Sequence, residues 1–302
     1  MLKNKISVCL ATYNEEKNLR RCLESVKDLT SEIIVVDGFS DDKTREIARS
    51  FKAKVFKTSN KSMFHINKQI ALDKTTGDWI LLLDADEQVT EELKDEIKKI
   101  INQKSNDIVG YWIPRKNIIF KKWIKHTGWW PDLQLRLFKN GKVKFPCQSI
   151  HENPFLKGKS LNLENHLIHY HYQNISQYLK RLDTYTDNDK KVWLEEGKQL
   201  KWFQAISLPS DEFIKRFIVW QGYKDGLHGL ALSLLQAFFQ FIVFAKVWEE
   251  KGFKQENVNL NDAKNMIKKT IKDFNWWQYE ERIKIDKLGL KKLYFKLIRL
   301  IK

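Results

Sequence analysis

The chain has 302 residues, 42% hydrophobic and 30% charged, a balance that excludes a disordered polymer and suits one large domain with additions, or two domains. Lysine and arginine number 54 against 38 acids, and the net charge of +16 favours an anionic partner: a phosphorylated substrate, an anionic membrane face or nucleic acid. Cys9, Cys22 and Cys147 lack metal-ligand spacing; Cys9 and Cys22 are expected to be buried thiols in a reducing compartment.

The first residues lead directly into an apolar strand, Ile6 to Ala11, so no signal peptide is expected. A polar loop, Thr12-Tyr13-Asn14-Glu15-Glu16, precedes a helix with Leu19, Cys22, Leu23 and Val26 on one stripe. A second strand, Glu32 to Val36, ends at Asp37, and Gly38-Phe39-Ser40-Asp41 turns the chain into a helix with Thr44, Ile47, Ala48 and Phe51 on one side. A short strand, Lys54 to Lys57, and a helix from about Met63 to Lys74 follow.

Trp79-Ile80-Leu81-Leu82-Leu83 is an uninterrupted apolar run, as expected of a central parallel strand covered on both faces. It ends in Asp84-Ala85-Asp86-Glu87. In an extended segment residues i and i+2 point the same way, so both aspartates can face one site. Such an oxygen pair suits Mg²⁺ or Mn²⁺, with water and a diphosphate completing the shell. Thr90 then caps a helix with Glu91 and Glu92 in its first turn.

Four strand–helix alternations predict an α/β domain with a parallel sheet and right-handed crossovers. Ligands of such sheets bind at the carboxyl ends of the strands, where Thr12, Asp37, Asp84 and Asp86 all fall. No Gly-x-Gly-x-x-Gly and no P-loop motif is present.

Three blocks carry a resemblance: Ser7 to Glu16, Ile33 to Thr44, and Gly77 to Glu87. Together they are similar to family 2 glycosyltransferases of the GT-A fold, a Rossmann-like, mostly parallel sheet flanked by helices. Pro131-Asp132-Leu133-Gln134-Leu135-Arg136-Leu137-Phe138, His151-Glu152 and His169-Tyr170-His171-Tyr172 resemble the lipopolysaccharide core β-1,4-glucosyltransferase subgroup, with likeness extending to about Tyr185 and, more loosely, to Gly222-Tyr223-Lys224-Asp225-Gly226. Many members carry two acids after the second strand; here Asp37 is followed by Gly38.

The resemblance implies an inverting transfer of a hexose, glucose by the subgroup, from a nucleotide-linked donor such as UDP-glucose to a lipopolysaccharide core or other membrane-linked glycan. Thr12, Tyr13 and Glu15 would line the nucleotide pocket, and Asp37 would bind uracil or ribose. Asp84 would reach the ribose or a metal-bound water. Asp86 would bind Mg²⁺ or Mn²⁺ directly, with His169 completing the shell. Asp132 or Glu152 would be the base that takes the acceptor proton. Arg136 would meet a phosphate or pair with an acid. A polysaccharide or a polyprenol-linked sugar is the alternative acceptor. A non-catalytic protein binding a membrane or nucleic acid is the alternative of another class, and the acids at the strand ends argue against a nucleic-acid partner.

The expected division is a catalytic domain over 1–205 and a helical C-terminal region over 206–302. Specificity for sugar, acceptor and linkage is expected in loops around Arg115 to Trp130. The apolar segment Leu230 to Ala245 contains only Gln236 and Gln240 as polar interruptions. The last stretch sets Leu290, Leu293, Tyr294, Leu297, Ile298 and Ile301 against Lys291, Lys292, Lys296, Arg299 and Lys302. A basic amphipathic helix of this kind suits an anionic membrane surface, so a cytoplasmic protein held at the inner face of the cytoplasmic membrane is expected.

Overall fold

The computed structural model describes residues 4–60, 64–103, 107–147 and 154–285. His151, Glu152 and the basic stretch from Leu290 onward lie outside the described residues. In chain order the elements begin β1 (Ile6–Thr12), α1 (Leu19–Glu24), β2 (Glu32–Asp37), α2 (Thr44–Ser50), β3 (Lys54–Lys57), α3 (Phe64–Asp73) and β4 (Trp79–Leu82). They continue with β5 (Glu87–Val89), α4 (Glu91–Asn102), β6 (Ile108–Ile119), β7 (Lys122–Trp123), β8 (Asp132–Lys139), β9 (Val143–Lys144), β10 (Phe155–Leu156), β11 (Lys159–Asn162) and β12 (Leu167–Tyr172). The rest is helical: α5 (Ile175–Glu195), α6 (Gln204–Ile214), α7 (Leu227–Glu250) and α8 (Leu260–Ile285).

The chain forms two compact units. The first, Met1–Ile118 with Trp130–His171, holds the sheet. Its strand order is β3-β2-β1-β4-β8-β6-β12-β5, parallel through β3, β2, β1 and β4, with β8 antiparallel to both β4 and β6. This is the α/β architecture the alternation predicts. Successive residues of the central strands enter opposite cores, which is why their sequences are apolar throughout. Val8, Leu10, Leu81 and Leu83 pack with Leu19, Cys22 and Leu23 of α1 and Leu93, Ile97 and Ile101 of α4. Cys9, Ile34, Val36, Ile80 and Leu82 pack with Ala71 and Leu72 of α3. The Thr90 hydroxyl accepts the Leu93 N–H at 3.2 Å, the cap expected for α4. Cys9 and Cys22 are fully buried, and burial pushes both thiols up.

The segment 115–119, expected as loop, is the end of the long strand β6. Pro114, Arg115, Lys116 and Asn117 hide the strand from a period-two reading, because Arg115 and Asn117 are spent on two acids, Glu87 and Asp132, and a histidine rather than on solvent.

The second unit is Ile119–Trp129 with Tyr172–Lys302. The position 205/206 expected as a domain boundary falls inside it. Ile119, Ile124, Tyr172, Tyr178, Leu182 and Leu232 form its core. After α6 a π turn, Lys215–Val219, and a 3-10 turn, Gly222–Asp225, lead into α7. The buried Asp225 carboxylate accepts from the His126 N–H at 2.8 Å and lies 3.2 Å from the His126 ring, while Lys122 donates to the Asp225 carbonyl at 2.7 Å. The Gly-Tyr-Lys-Asp-Gly motif therefore clamps the 122–126 segment. By length and composition α7 is apolar enough to cross a membrane, and 33% of its most apolar window is buried.

Candidate active site

Thr12 and Asp37 are register partners at the ends of β1 and β2. The Asp37 carboxylate is fully buried and accepts from Ser40 N at 3.1 Å, Ser40 Oγ at 2.5 Å, Thr12 Oγ1 at 3.4 Å and Arg45 Nη1 at 3.4 Å. The loops that follow the two strands are stitched together. Asn14, in the left-handed region at φ 54°, receives the Asp41 N–H on Oδ1 at 3.0 Å and gives its own N–H to Ser40 Oγ at 2.9 Å. The Glu15 N–H meets Thr44 Oγ1 at 2.7 Å, and its carboxylate accepts from Asn18 at 2.9 Å. Tyr13 is exposed on this rim. The structure thus brings Thr12, Tyr13, Glu15 and Asp37 to one loop pair beside the strand ends.

Beyond β4 the chain folds over a buried ion network. Glu87 is fully buried and fixes the Asp84–Asp86 turn: its Oε2 accepts the Asp84 N–H at 2.9 Å, and its own N–H reaches the Asp84 carbonyl at 3.0 Å. Arg136 of β8 donates to Glu87 Oε1 at 2.6 Å and to Asp84 Oδ2, while Lys68 of α3 lies 2.5 Å from Asp84 Oδ1. Burial works against the charged form of Asp84, but Arg136 and Lys68 outweigh it and hold the carboxyl well below the usual carboxylate range. Arg136 thus has acids as partners, one of the two kinds expected for it.

Asp86 lies beside β12. Pairing of β12 with β5 sets His169 opposite Glu87, and His169 Nε2 lies 3.5 Å from Asp86 Oδ2. The other ring nitrogen, Nδ1, is 2.6 Å from Asn117 Oδ1. Asn117 is oriented in turn by Asp132, whose Oδ2 takes its Nδ2–H at 3.1 Å. A carboxylate only accepts, so the Asn117 oxygen must face His169 and accept from Nδ1–H. In the neutral ring Nε2 then carries its lone pair toward Asp86. Two acceptors facing each other at this distance, both nearly buried, fit a hard cation bound from one side. Among the described residues no group of three or more His, Cys, Asp or Glu surrounds one metal position, so water or substrate oxygens would complete a shell. His171 stacks on His169 with ring centroids 4.7 Å apart.

Asp132 also accepts from Arg115 Nε at 2.9 Å and from Gln134 Nε2 at 2.9 Å, and Arg115 bridges on to Glu87 at 3.2 Å. Against the effect of burial, Arg115, Asn117 and Gln134 hold the Asp132 carboxyl below its ordinary value. Lys68, Arg115 and Asn117 were not apparent as site residues in the sequence. Asp132 stands out in the sequence, and the structure anchors it on Arg115, Asn117 and Gln134.

The sequence profile of the glycosyl transferase family 2 matches residues 7–160, half of the chain, and includes the ends of β1, β2 and β4 with Asp84, Asp86 and Asp132. The chain belongs to this glycosyltransferase family. An uncharacterized glycosyltransferase of Rickettsia typhi is 29% identical over 270 residues, covering 85% of this chain and 91% of the relative. The lipopolysaccharide core biosynthesis glycosyltransferase LpsC of Rhizobium meliloti is 24% identical over 269 residues, covering 85% and 97%. In structure, residues 1–349 of TarS from S. aureus are similar at a TM-score of 0.42 and 17% identity, covering 92% of this glycosyltransferase and 82% of TarS.

Proposed function

We propose that this family 2 glycosyltransferase transfers a hexose, glucose in the first instance, from a UDP-linked donor to a lipopolysaccharide core or another membrane-linked glycan, with inversion at the sugar. The observation that carries the reading is the delivery of Thr12, Asp37, Asp84 and Asp86 from three parallel strands to one edge of the sheet, where α/β folds bind nucleotides. The name of LpsC supports the acceptor class.

Asp37 and the 12–16 loop would receive the nucleoside. Asp84 would meet the ribose or a water on the cation. Asp86 and His169 would hold Mg²⁺ or Mn²⁺, which when bound supplies charge neutralisation to the departing diphosphate. Lys68 and Arg136 are paired with Asp84 and keep it ionised and fixed. The acceptor hydroxyl needs a carboxylate base on its far side. Glu152, outside the described residues, and Asp132 share that role as candidates. Asp132 has both oxygens engaged by donors and would have to release one to take a proton. The protein would work in the cytoplasm on the inner face of the cytoplasmic membrane.

The test is calorimetric titration of UDP with and without Mn²⁺, on the wild type and on Asp86→Ala. Metal-dependent binding that the substitution removes is the expected result. Binding indifferent to both metal and Asp86 would overturn the donor site; after the expected result, a screen of UDP-sugars for transfer identifies the sugar.

A further inference from the structure

Within the helical unit, α7 presents an apolar stripe to solvent. Leu227, Leu234, Phe238, Phe241 and Trp248 are all exposed, and Ala231 and Ala245 fill the gaps in the same three-four spacing. No charged residue falls on this line. The opposite face, with Leu232, Ala237, Val243, Phe244 and Val247, is buried in the unit's own packing. A stripe of this length on a soluble surface is covered by something.

At its carboxyl end the stripe runs into a cavity of about 820 Å³. Trp202, Phe244, Trp248 and Val258 give it apolar walls, and Lys251 and Lys254 contribute two cations to its lining. Trp248 belongs to both features: it is exposed on the stripe and lines the cavity, and its indole N–H holds the Lys254 carbonyl at 2.9 Å. The acids nearby are largely engaged. Glu256 accepts the Trp202 N–H at 2.8 Å, and Glu250 pairs with Lys190 at 2.8 Å.

We propose that this cavity binds an anionic lipid of the bilayer, its hydrocarbon against Trp202, Phe244 and Trp248 and its phosphate at Lys251 and Lys254, while the α7 stripe lies against the membrane surface. An apolar run that ends in an aromatic-walled cavity with two lysines matches an amphiphile with an anionic head, and the net charge of +16 draws the chain to the same surface. The inference deepens the membrane reading above and is independent of the donor site.

The experiment is co-sedimentation of the full chain with phosphatidylglycerol–phosphatidylcholine vesicles and with pure phosphatidylcholine vesicles. Binding to the anionic vesicles is expected, weakened about 30-fold in Lys251→Gln/Lys254→Gln at about fivefold per lysine. With brominated lipids, tryptophan fluorescence should be quenched, and Trp202→Phe/Trp248→Phe should lose most of that quenching while still sedimenting. Equal binding by the lysine variant, unchanged quenching in the tryptophan variant, or a dimer in light scattering that Phe238→Ser converts to monomer would each overturn the proposal. UDP titration on the same samples separates it from the donor site: its failure bears on the transferase reading alone.

Discussion

His169 Nε2 lies 3.5 Å from Asp86 Oδ2, and its ring is turned to that position from behind by Asn117, 2.6 Å from Nδ1. Removing the amide leaves the first partner in place but frees the ring to rotate or change tautomer. Asn117→Ala is therefore expected to weaken Mn²⁺ binding by about 10- to 100-fold, the range for a second partner of a ligating histidine. Titration followed by the Mn²⁺ resonance signal reads this without turnover. An unchanged affinity would remove Asn117 from the site.

Arg136 is the shared cation of Glu87 and Asp84, and Glu87 is fully buried. Arg136→Met strands a buried carboxylate, which costs about 3–5 kcal/mol. Denaturant unfolding should show that loss, and Arg136→Met/Glu87→Gln should recover part of it. A loss under about 1 kcal/mol, typical of an exposed pair, would mean that Arg115 alone satisfies Glu87.

Acid should unfold the first unit by a definable route. Burial opposes ionisation of Glu32, yet Ser7, Thr76 and Lys54 donate to its carboxylate and bring it down to about 2. Its folded value lies below its unfolded one, so its contribution is complete above the ordinary glutamate range and is lost as pH falls through that range toward about 2. Asp84 and Asp132 shift in the same direction. Glu32→Gln should cost about 1–3 kcal/mol at neutral pH and flatten the acid limb of a stability–pH curve. A curve with the same limb in the variant would exclude Glu32 as its source.

In the second unit, a Cβ on Gly229 would lie 1.8 Å from the Gly222 carbonyl oxygen. The contact is with backbone, so the start of α7 must move. Gly229→Ala is expected to cost about 3 kcal/mol or more and to lower the melting temperature by several degrees. A neutral effect would show that the 222–229 turn yields.

Much of the first unit was legible because its signals are local. The apolar run from Trp79 and the strand–helix alternation gave the sheet, and Asp37, Asp84 and Asp86 followed from their places at strand ends. Glu87 carries no local signal beyond following the two aspartates; its burial against Arg136 and its bond to the Asp84 N–H show that it orients the turn. Arg115, Asn117 and Lys68 were hidden, because their partners are 28, 52 and 16 positions away in the chain. A polar residue inside a strand looks like a loop until the acid across the sheet is known. The helical unit was least legible: α5 already belongs to it, and its Asp225 clamp spans about a hundred residues.

The ion network at the strand ends has one more consequence. Asp84, Glu87 and Asp132 face Lys68, Arg115 and Arg136, so this network is close to electroneutral on a strongly basic chain. A divalent cation entering alone, or a sugar nucleotide entering alone, would upset that balance. The cation and a diphosphate carry equal and opposite charge and would leave it unchanged. Each ligand should therefore raise the affinity for the other by the same factor, and the donor should enter as a metal–nucleotide pair.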